Sequence, residues 1–317
     1  MGANRPNQKW DAFIYGDVNI DLVIPGVDHL PLPGQEDVVA TMNTYVGGGA
    51  ALFTLGLGKL GLNPVFQGTV GKDCYGDFIL KEFEKSNIDT SLLEISDVEK
   101  TGISISFTNE KDRSFLTYRG TNAELDVEKV NLAQLQNARH IHVTGYEGSR
   151  NHQKYRSLLQ KVKETKNTTV SFDVGWDDSG EWYEGIVELF PYIDVLFMNE
   201  TEAIHYGRKK TAEDAAKAFA ESGAAVVIKL GAKGSLAYQA GNQYQARPYR
   251  VKAVDTTGAG DSFNAGFIYG FLKQKNMQDC LRYANGCGAL SVTQLGGNTG
   301  FPTEKELLQF IKEQEER

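Results

Sequence analysis

The chain predicts a doubly wound α/β fold, with a mostly parallel sheet flanked by helices and a small β-sheet lid. Three observations carry this. Short runs rich in β-branched and aromatic residues alternate with segments of helical period, two stretches break that alternation with consecutive strand-like pieces, and the last third is helical. With 317 residues, one domain spanning 1–317 is expected, its lid formed from about 18–46 and 100–122.

Strands are expected at Ala12 to Tyr15, Pro64 to Val70, His140 to Thr144, Thr169 to Phe172, Val195 to Met198 and Ala225 to Leu230. Helical periods lie between most of them, as in Gly76 to Lys85, Gln153 to Glu164 and Thr211 to Ser222. In the lid, Ile103, Ile105 and Phe107 alternate with small or polar residues, and a polar turn from Asn109 to Arg113 leads into Ser114 to Tyr118, a hairpin signal. A strand-like Tyr249 to Val254 precedes helices at Gly258 to Gln274, Asp279 to Leu295 and Thr303 to Glu315.

A formal net charge of −8 and an isoelectric point near 5.3 argue against a nucleic-acid partner, which would select a basic surface. No uninterrupted apolar segment is long enough for a membrane span, and Met1 to Lys9 carries no signal-like apolar run, so a cytoplasmic location is expected. Cys74, Cys280 and Cys287 have no metal-ligand spacing and read as buried thiols.

Several glycine clusters compete as phosphate sites. Gly56-Leu57-Gly58-Lys59-Leu60-Gly61 matches the dinucleotide fingerprint G-x-G-x-x-G, but it closes a helix instead of opening one after a strand, which disfavours a dehydrogenase. No P-loop exists. Gly47-Gly48-Gly49 follows a strand-like segment, Thr41 to Val46, and precedes an apolar helix, so free amides are expected to face a ligand hydroxyl there.

The strongest candidate is Asp255-Thr256-Thr257-Gly258-Ala259-Gly260-Asp261. Gly258, Ala259 and Gly260 place unobstructed amides at a helix N-terminus, where the dipole favours anions, and Asp261 falls in the first turn. A simple helix cap would need neither the small-residue run nor the second carboxylate, Asp255. The pattern suits phosphoryl transfer, with Asp261 taking the proton of an attacking hydroxyl and the amides stabilising charge on the transferring group.

At these residues the chain resembles the PfkB, or ribokinase-like, carbohydrate kinase family. Supporting matches lie in order along nearly the whole chain: Gly16-Asp17-Val18-Asn19-Ile20-Asp21, the triple glycine, Gly68-Thr69-Val70-Gly71-Lys72-Asp73, Asn199-Glu200-Thr201-Glu202 and Lys229-Leu230-Gly231-Ala232-Lys233-Gly234. The resemblance implies ATP-dependent phosphorylation of a sugar or sugar-like hydroxyl, with Mg2+. In it, Asn199 and Glu202 act near Mg2+ and the phosphates, largely through water; Lys229, Gly231 and Gly234 border the nucleotide, and Asn285 the adenine. Asp255 and Thr257 match positions that bind a monovalent cation such as K+ in some members. Asn19 and Asp21, two apart on an extended segment, share a face and could grip vicinal hydroxyls with Gly47, Gly48 and Glu147. A homodimer through the lid is also implied.

Two departures matter. Leu52 stands where the family usually has a sugar-contacting Asn, which weakens ribose as the acceptor and favours a deoxy, substituted or nucleoside-like one. The stretch Asp173 to Trp182 departs from the usual Asp-Pro-Asn, and Trp176 and Trp182 there could cover a substrate or sit in the core. The competing readings are a nucleoside kinase of the same fold and a non-catalytic sugar- or nucleotide-binding regulator.

Overall fold

The computed structural model describes residues 8–27, 30–108, 113–165 and 168–316. The proposed turn at 109–112 and the first seven residues of the segment read for a signal lie outside them. In chain order the elements begin with β1 (Trp10–Tyr15), β2 (Asn19–Pro25), β3 (Asn43–Gly47), α1 (Gly49–Lys59), β4 (Pro64–Gly71), α2 (Cys74–Lys85) and β5 (Asp89–Ser96). Next come β6 (Gly102–Thr108), β7 (Arg113–Tyr118), α3 (Leu132–Leu135), β8 (Ala138–Val143), α4 (His152–Glu164), β9 (Thr169–Asp173), β10 (Val195–Asn199), α5 (Glu200–Gly207) and α6 (Ala212–Phe219). The chain ends with β11 (Ala225–Lys229), β12 (Ser235–Gln239), β13 (Asn242–Ala246), α7 (Ala259–Leu272), α8 (Met277–Ser291) and α9 (Glu304–Glu315).

Nine strands form the main sheet in the order β13-β12-β11-β10-β9-β8-β1-β4-β5, parallel from β11 to β5, with β12 and β13 antiparallel at one edge. The central strands are largely apolar because each face is covered, with His140, His142 and Ser171 buried among them as a hydrogen-bonded polar group. Phe53, Phe66, Phe197 and Phe267 belong to one buried cluster, and Phe13, Phe172, Leu196 and Phe219 to the other. α1 is buried almost all round, as its uninterrupted Ala50–Gly58 run demands.

β1 lies between β4 and β8, so the chain winds outward in both directions from it, and the carboxyl ends of the strands on either side define a crevice where α/β sheets bind ligands. A separate four-stranded sheet, β3-β2-β6-β7, gathers the two stretches that break the helix alternation. Among the described residues, no helix is long and apolar enough to cross a membrane.

Three expectations are corrected. Residues 249–254 form no strand: β13 takes the sheet edge, Tyr249 packs on Phe310, and the amides of Val254 and Asp255 donate to the Val292 carbonyl. Cys74 is exposed, because it lies off the buried stripe of α2 formed by Gly76, Ile79 and Phe83. Strands β5, β12 and β13, which are not among the expected strands, complete the sheet.

Candidate active site

The site is built where strands end. Asp17 follows β1, Asp173 closes β9, Asn199 closes β10 and Lys229 closes β11, while α7 delivers Asp261 in its first turn. α7 begins at Gly258 in a left-handed conformation (φ 70°) with no side-chain cap. A side chain at 258 would also run into the Gly297 carbonyl, 2.2 Å from a Cβ, so only glycine fits. The Gly258 and Gly260 amides have no backbone acceptor among the described residues, whereas that of Ala259 reaches the Thr256 carbonyl at 3.3 Å.

Asp261 is therefore not a cap. Burial, together with Asp173 and Asp17, pushes its carboxyl well above the usual range, while Lys229 pulls it down. Lys229 Nζ donates to Asp173 Oδ2 at 2.8 Å, and Asn264 Nδ2 donates to the same oxygen at 2.6 Å. Burial alone would lower the Lys229 ammonium, but Asp173, Glu202 and Asp261 outweigh it and hold the group protonated. A Cβ at Gly260 would lie 3.5 Å from that ammonium, so the cation sits directly against the start of α7.

Asn199 and Glu202 form a capping box on α5. Glu202 donates its amide to Asn199 Oδ1 at 2.8 Å, and its carboxylate accepts from the Asn199 amide (2.8 Å) and Nδ2 (2.6 Å). Burial and Asp173 raise the Glu202 carboxyl, against Lys229. Both oxygens being committed, Glu202 suits a metal ion only at one remove, through water. No group of three or more carboxylate, His or Cys side chains able to hold a metal occurs among the described residues. An Mg2+ ion keeps several of its waters and is held with substrate phosphates, so a carboxylate that reaches it through water, as Glu202 would, suits it.

The acceptor side is organised by β2. Asn19 Nδ2 donates to Asp21 Oδ1 at 2.8 Å, so the two do share a face. Burial, then Asp17 and Asp255, lift the Asp21 carboxyl to about 6 against the Asn19 hydrogen bond. Gly47 lies on β3 across from Asn19, and a Cβ there would come within 2.1 Å of Asp21 Oδ1. The expectation of free amides at the triple glycine is only partly met: Asp17 accepts from the Gly49 amide (2.9 Å) and the Ala50 amide (3.0 Å) and so closes the N-terminus of α1. Sequence reading quoted Asp17 within a motif but gave it no role.

From Asp17 and Asn19 a cavity of about 720 Å3 opens outward past Arg119, Glu147, Arg150 and Trp176. Arg119 approaches Glu147 at 3.9 Å, so Glu147 does face this space. Asp261 does not line it and lies beside Gly49, whose Cβ would be 3.5 Å from Asp261 Oδ1; Asp21, Gly47 and Gly48 also lie outside its lining. Trp176 is 58% exposed at the rim, whereas Trp182 stacks on His205 and packs against Tyr206. Leu52 is a core residue, 4% exposed and packed toward Gly297, and it does not line the cavity.

Two of the residues expected at the nucleotide, Gly234 and Asn285, meet at one carbonyl. Asn285 Nδ2 donates to the Ala246 and Arg247 carbonyls at 3.2 and 3.0 Å, and Gly234 abuts the same Ala246 carbonyl; Gly231 opens the short turn that leads to Gly234. Asp255 accepts from the Thr257 amide and hydroxyl (2.9 and 2.7 Å) and from the Gly296 amide (2.9 Å), tying the loop before α7 to the 296–300 turn.

Residues 11–304 match the family described as pfkB family carbohydrate kinase. The chain belongs to that family. Its relatives include a 5-dehydro-2-deoxygluconokinase from Clostridium botulinum (strain Alaska E43 / Type E3), 30% identical over 303 residues and 87% of either chain, and a Haemophilus influenzae ribokinase, 27% identical over 314 residues, 94% of this chain and 97% of the relative. A structure of Arabidopsis thaliana ribokinase complexed with ribose and ATP superimposes with a TM-score of 0.82, 25% identity, and coverage of 96% and 99%. A putative ribokinase II from E. coli in its apo form shares the fold, with a TM-score of 0.85 at 24% identity over 96% and 99% of the two chains. As a PfkB-family enzyme the protein is an ATP-dependent sugar kinase.

Proposed function

We propose that this kinase transfers the γ-phosphoryl group of ATP to a hydroxyl of a sugar acid, with Asp261 as the base. The observation that carries the chemistry is a buried carboxylate in the first turn of an uncapped helix whose Gly258 and Gly260 amides have no backbone acceptor among the described residues. Asn19 and Asp21, with the Gly47 and Gly48 backbone and Glu147, orient the acceptor so that one hydroxyl meets Asp261. Asp261 accepts that proton as the oxygen attacks, and the 258–260 amides hold the charge that builds on the transferring group. Asn199, Lys229, Gly231, Gly234 and Asn285 place the nucleotide. Mg2+ bound through the water around Glu202 would neutralise phosphate charge.

The acid class is supported by two guanidinium groups, Arg119 and Arg150, on the wall of the acceptor cavity, while several of its carboxylates are engaged: Asp126 by Lys154 and Asp177 by Ser179 and the Trp182 amide. Planar guanidinium groups suit a carboxylate. The 30%-identical relatives named for 5-dehydro-2-deoxygluconate agree with it.

The small sheet is proposed as a lid on a single domain, formed from about 18–46 and 100–122 and closing on the acceptor to exclude water. Phe115, Leu116 and Tyr118, at least half exposed on β7, support a homodimer through that lid. A K+ ion near Asp255 and Thr257 would be held largely by backbone carbonyls, since the Asp255 oxygens already serve the loop. The place of action is proposed to be the cytoplasm. Coupled ADP release over aldonates, keto-deoxy sugar acids, aldopentoses, ketohexoses and nucleosides tests the assignment. Turnover with the acids first supports it, and a preference for neutral sugars or nucleosides overturns the acid class.

A further inference from the structure

The mechanism above places the nucleotide with Lys229 but leaves Asp173 and Asn264 without a task. Their arrangement is unusual for an ion pair that serves stability alone. Asp173 uses one oxygen, Oδ2, for both of its donors, Lys229 Nζ at 2.8 Å and Asn264 Nδ2 at 2.6 Å. Its other oxygen, Oδ1, and Asn264 Oδ1 are buried without hydrogen-bond partners among the described residues. Orphaned buried acceptors are costly and call for an explanation. Asn264 is wholly buried on α7, three residues after Asp261 and so within one turn of it.

The geometry fixes one thing well, the position of the Lys229 head group. Asp173 and Lys229 close two strands separated only by β10, and their side chains converge from either side of it. An ammonium has three donors, and among the described residues the one hydrogen-bond partner of Nζ is Asp173. The remaining donors belong to a cation lying 3.5 Å from where a Gly260 Cβ would stand, beside the amides of the anion hole.

We propose that Asp173, seconded by Asn264, is a positioning residue that holds the Lys229 ammonium against Gly260, where its charge joins the 258–260 amides in stabilising the transferring phosphoryl group. The proposal rests on the reading of Asp261 and those amides as the phosphoryl-transfer site. Lys229 gains a catalytic role beyond nucleotide placement, and Asp173 and Asn264 act only through it. The single oxygen shared by two donors sets the direction of the ammonium, as a bidentate pair with Asp173 alone would not.

Four variants of the full chain test it: Asp173→Asn, Lys229→Met, the pair Asp173→Asn/Lys229→Met, and Asp261→Asn as the reference. Coupled ADP release with the best acceptor gives kcat and KM, and calorimetry gives the affinity for ADP–Mg2+ with and without aluminium fluoride, a mimic of the transferring group. A positioned charge worth one anion-hole donor predicts a kcat loss of about 10² to 10³ for Lys229→Met and at least about 10 for Asp173→Asn, with the acceptor KM changed little in both and the KM for ATP changed little in Asp173→Asn. In Asp173→Asn the binding of ADP alone stays level, while the gain in affinity conferred by aluminium fluoride shrinks by a similar factor; Lys229→Met loses that gain beyond any loss in ADP binding itself.

Residues acting as one unit are non-additive, so the pair should lose no more kcat than Lys229→Met alone. It removes both halves of the Asp173–Lys229 ion pair together, which keeps the test open if Lys229→Met folds poorly. Asp173→Asn with wild-type kcat and an unchanged aluminium fluoride effect, or losses that multiply in the pair, overturns the proposal. Full activity in Asp261→Asn sinks the underlying site reading instead, so the two failures are told apart.

Discussion

Asp21 gives the most quantitative test of the acceptor side. Burial, with Asp17 and Asp255, lifts its carboxyl from 3.8 to about 6 despite the Asn19 hydrogen bond. A folded-state value raised above the unfolded one means that the folded protein binds the proton more tightly. The stabilisation is therefore fully present below about 4 and is lost as pH rises through about 6. At 1.36 kcal/mol per pH unit, the ionised group costs the fold about 3 kcal/mol above pH 6.5. An unfolding entropy of about 2.1 cal/mol/K per residue over 317 residues makes 1 kcal/mol worth about 1.5 °C.

Asp21→Asn keeps the shape and cannot ionise, so its Tm relative to wild type should climb by about 4 to 5 °C between pH 4 and pH 6.5 and then stay level. Differential scanning fluorimetry across pH 4 to 8 measures this directly. The same variant should bind acceptor more weakly at pH 7, since the ionised carboxylate is the hydroxyl acceptor. A Tm difference independent of pH, or an acceptor KM at pH 7 equal to wild type, refutes the reasoning.

Gly47→Ala should leave the fold nearly intact yet displace Asp21, whose oxygen lies 2.1 Å from the new Cβ; the acceptor KM should rise by about tenfold or more while the KM for ATP stays put, as steady-state kinetics would show. Leu52→Asn restores the residue usual in the family, but at a core site 4% exposed; it should cost about 2 to 4 kcal/mol, lower Tm by several degrees, and confer no ribose phosphorylation. Unchanged stability with new activity on ribose would show that position 52 faces the acceptor. Because burial and neighbouring carboxylates raise Asp261, kcat/KM should fall on the acid side well above the pH at which an ordinary carboxylate titrates, and Asp17→Asn, which removes one raising charge, should move that limb to lower pH.

Much of this was legible in the sequence because the signals were local. The apolar runs Ala12 to Tyr15, His140 to Thr144, Thr169 to Phe172, Val195 to Met198 and Ala225 to Leu230 became neighbouring parallel strands, with carboxyl ends shifted by a residue at four of them, and Gly258 to Asp261 became the uncapped start of α7. What escaped notice was either polar or distant. β13 reads Asn-Gln-Tyr-Gln-Ala and pairs only through a tight Ala240-Gly241 turn, both residues with positive φ, so its edge role left little apolar pattern. Asp17 closing α1, and Asp173 meeting Lys229 and Asn264, join residues 32, 56 and 91 positions apart, which no spacing rule reaches. The one available hint was position itself: a carboxylate at the carboxyl end of a central parallel strand stands at the ligand crevice.

The account rests on Asp261, and one measurement tests it most directly. Turnover of wild type and Asp261→Asn should be compared by ADP release with the preferred acceptor at pH 8, with Tm and ATP affinity measured alongside. Loss of a general base predicts a kcat lower by about 10² to 10⁴, with ATP binding retained and Tm no lower, since a buried, repelled carboxylate has been removed. Wild-type turnover in Asp261→Asn would contradict it.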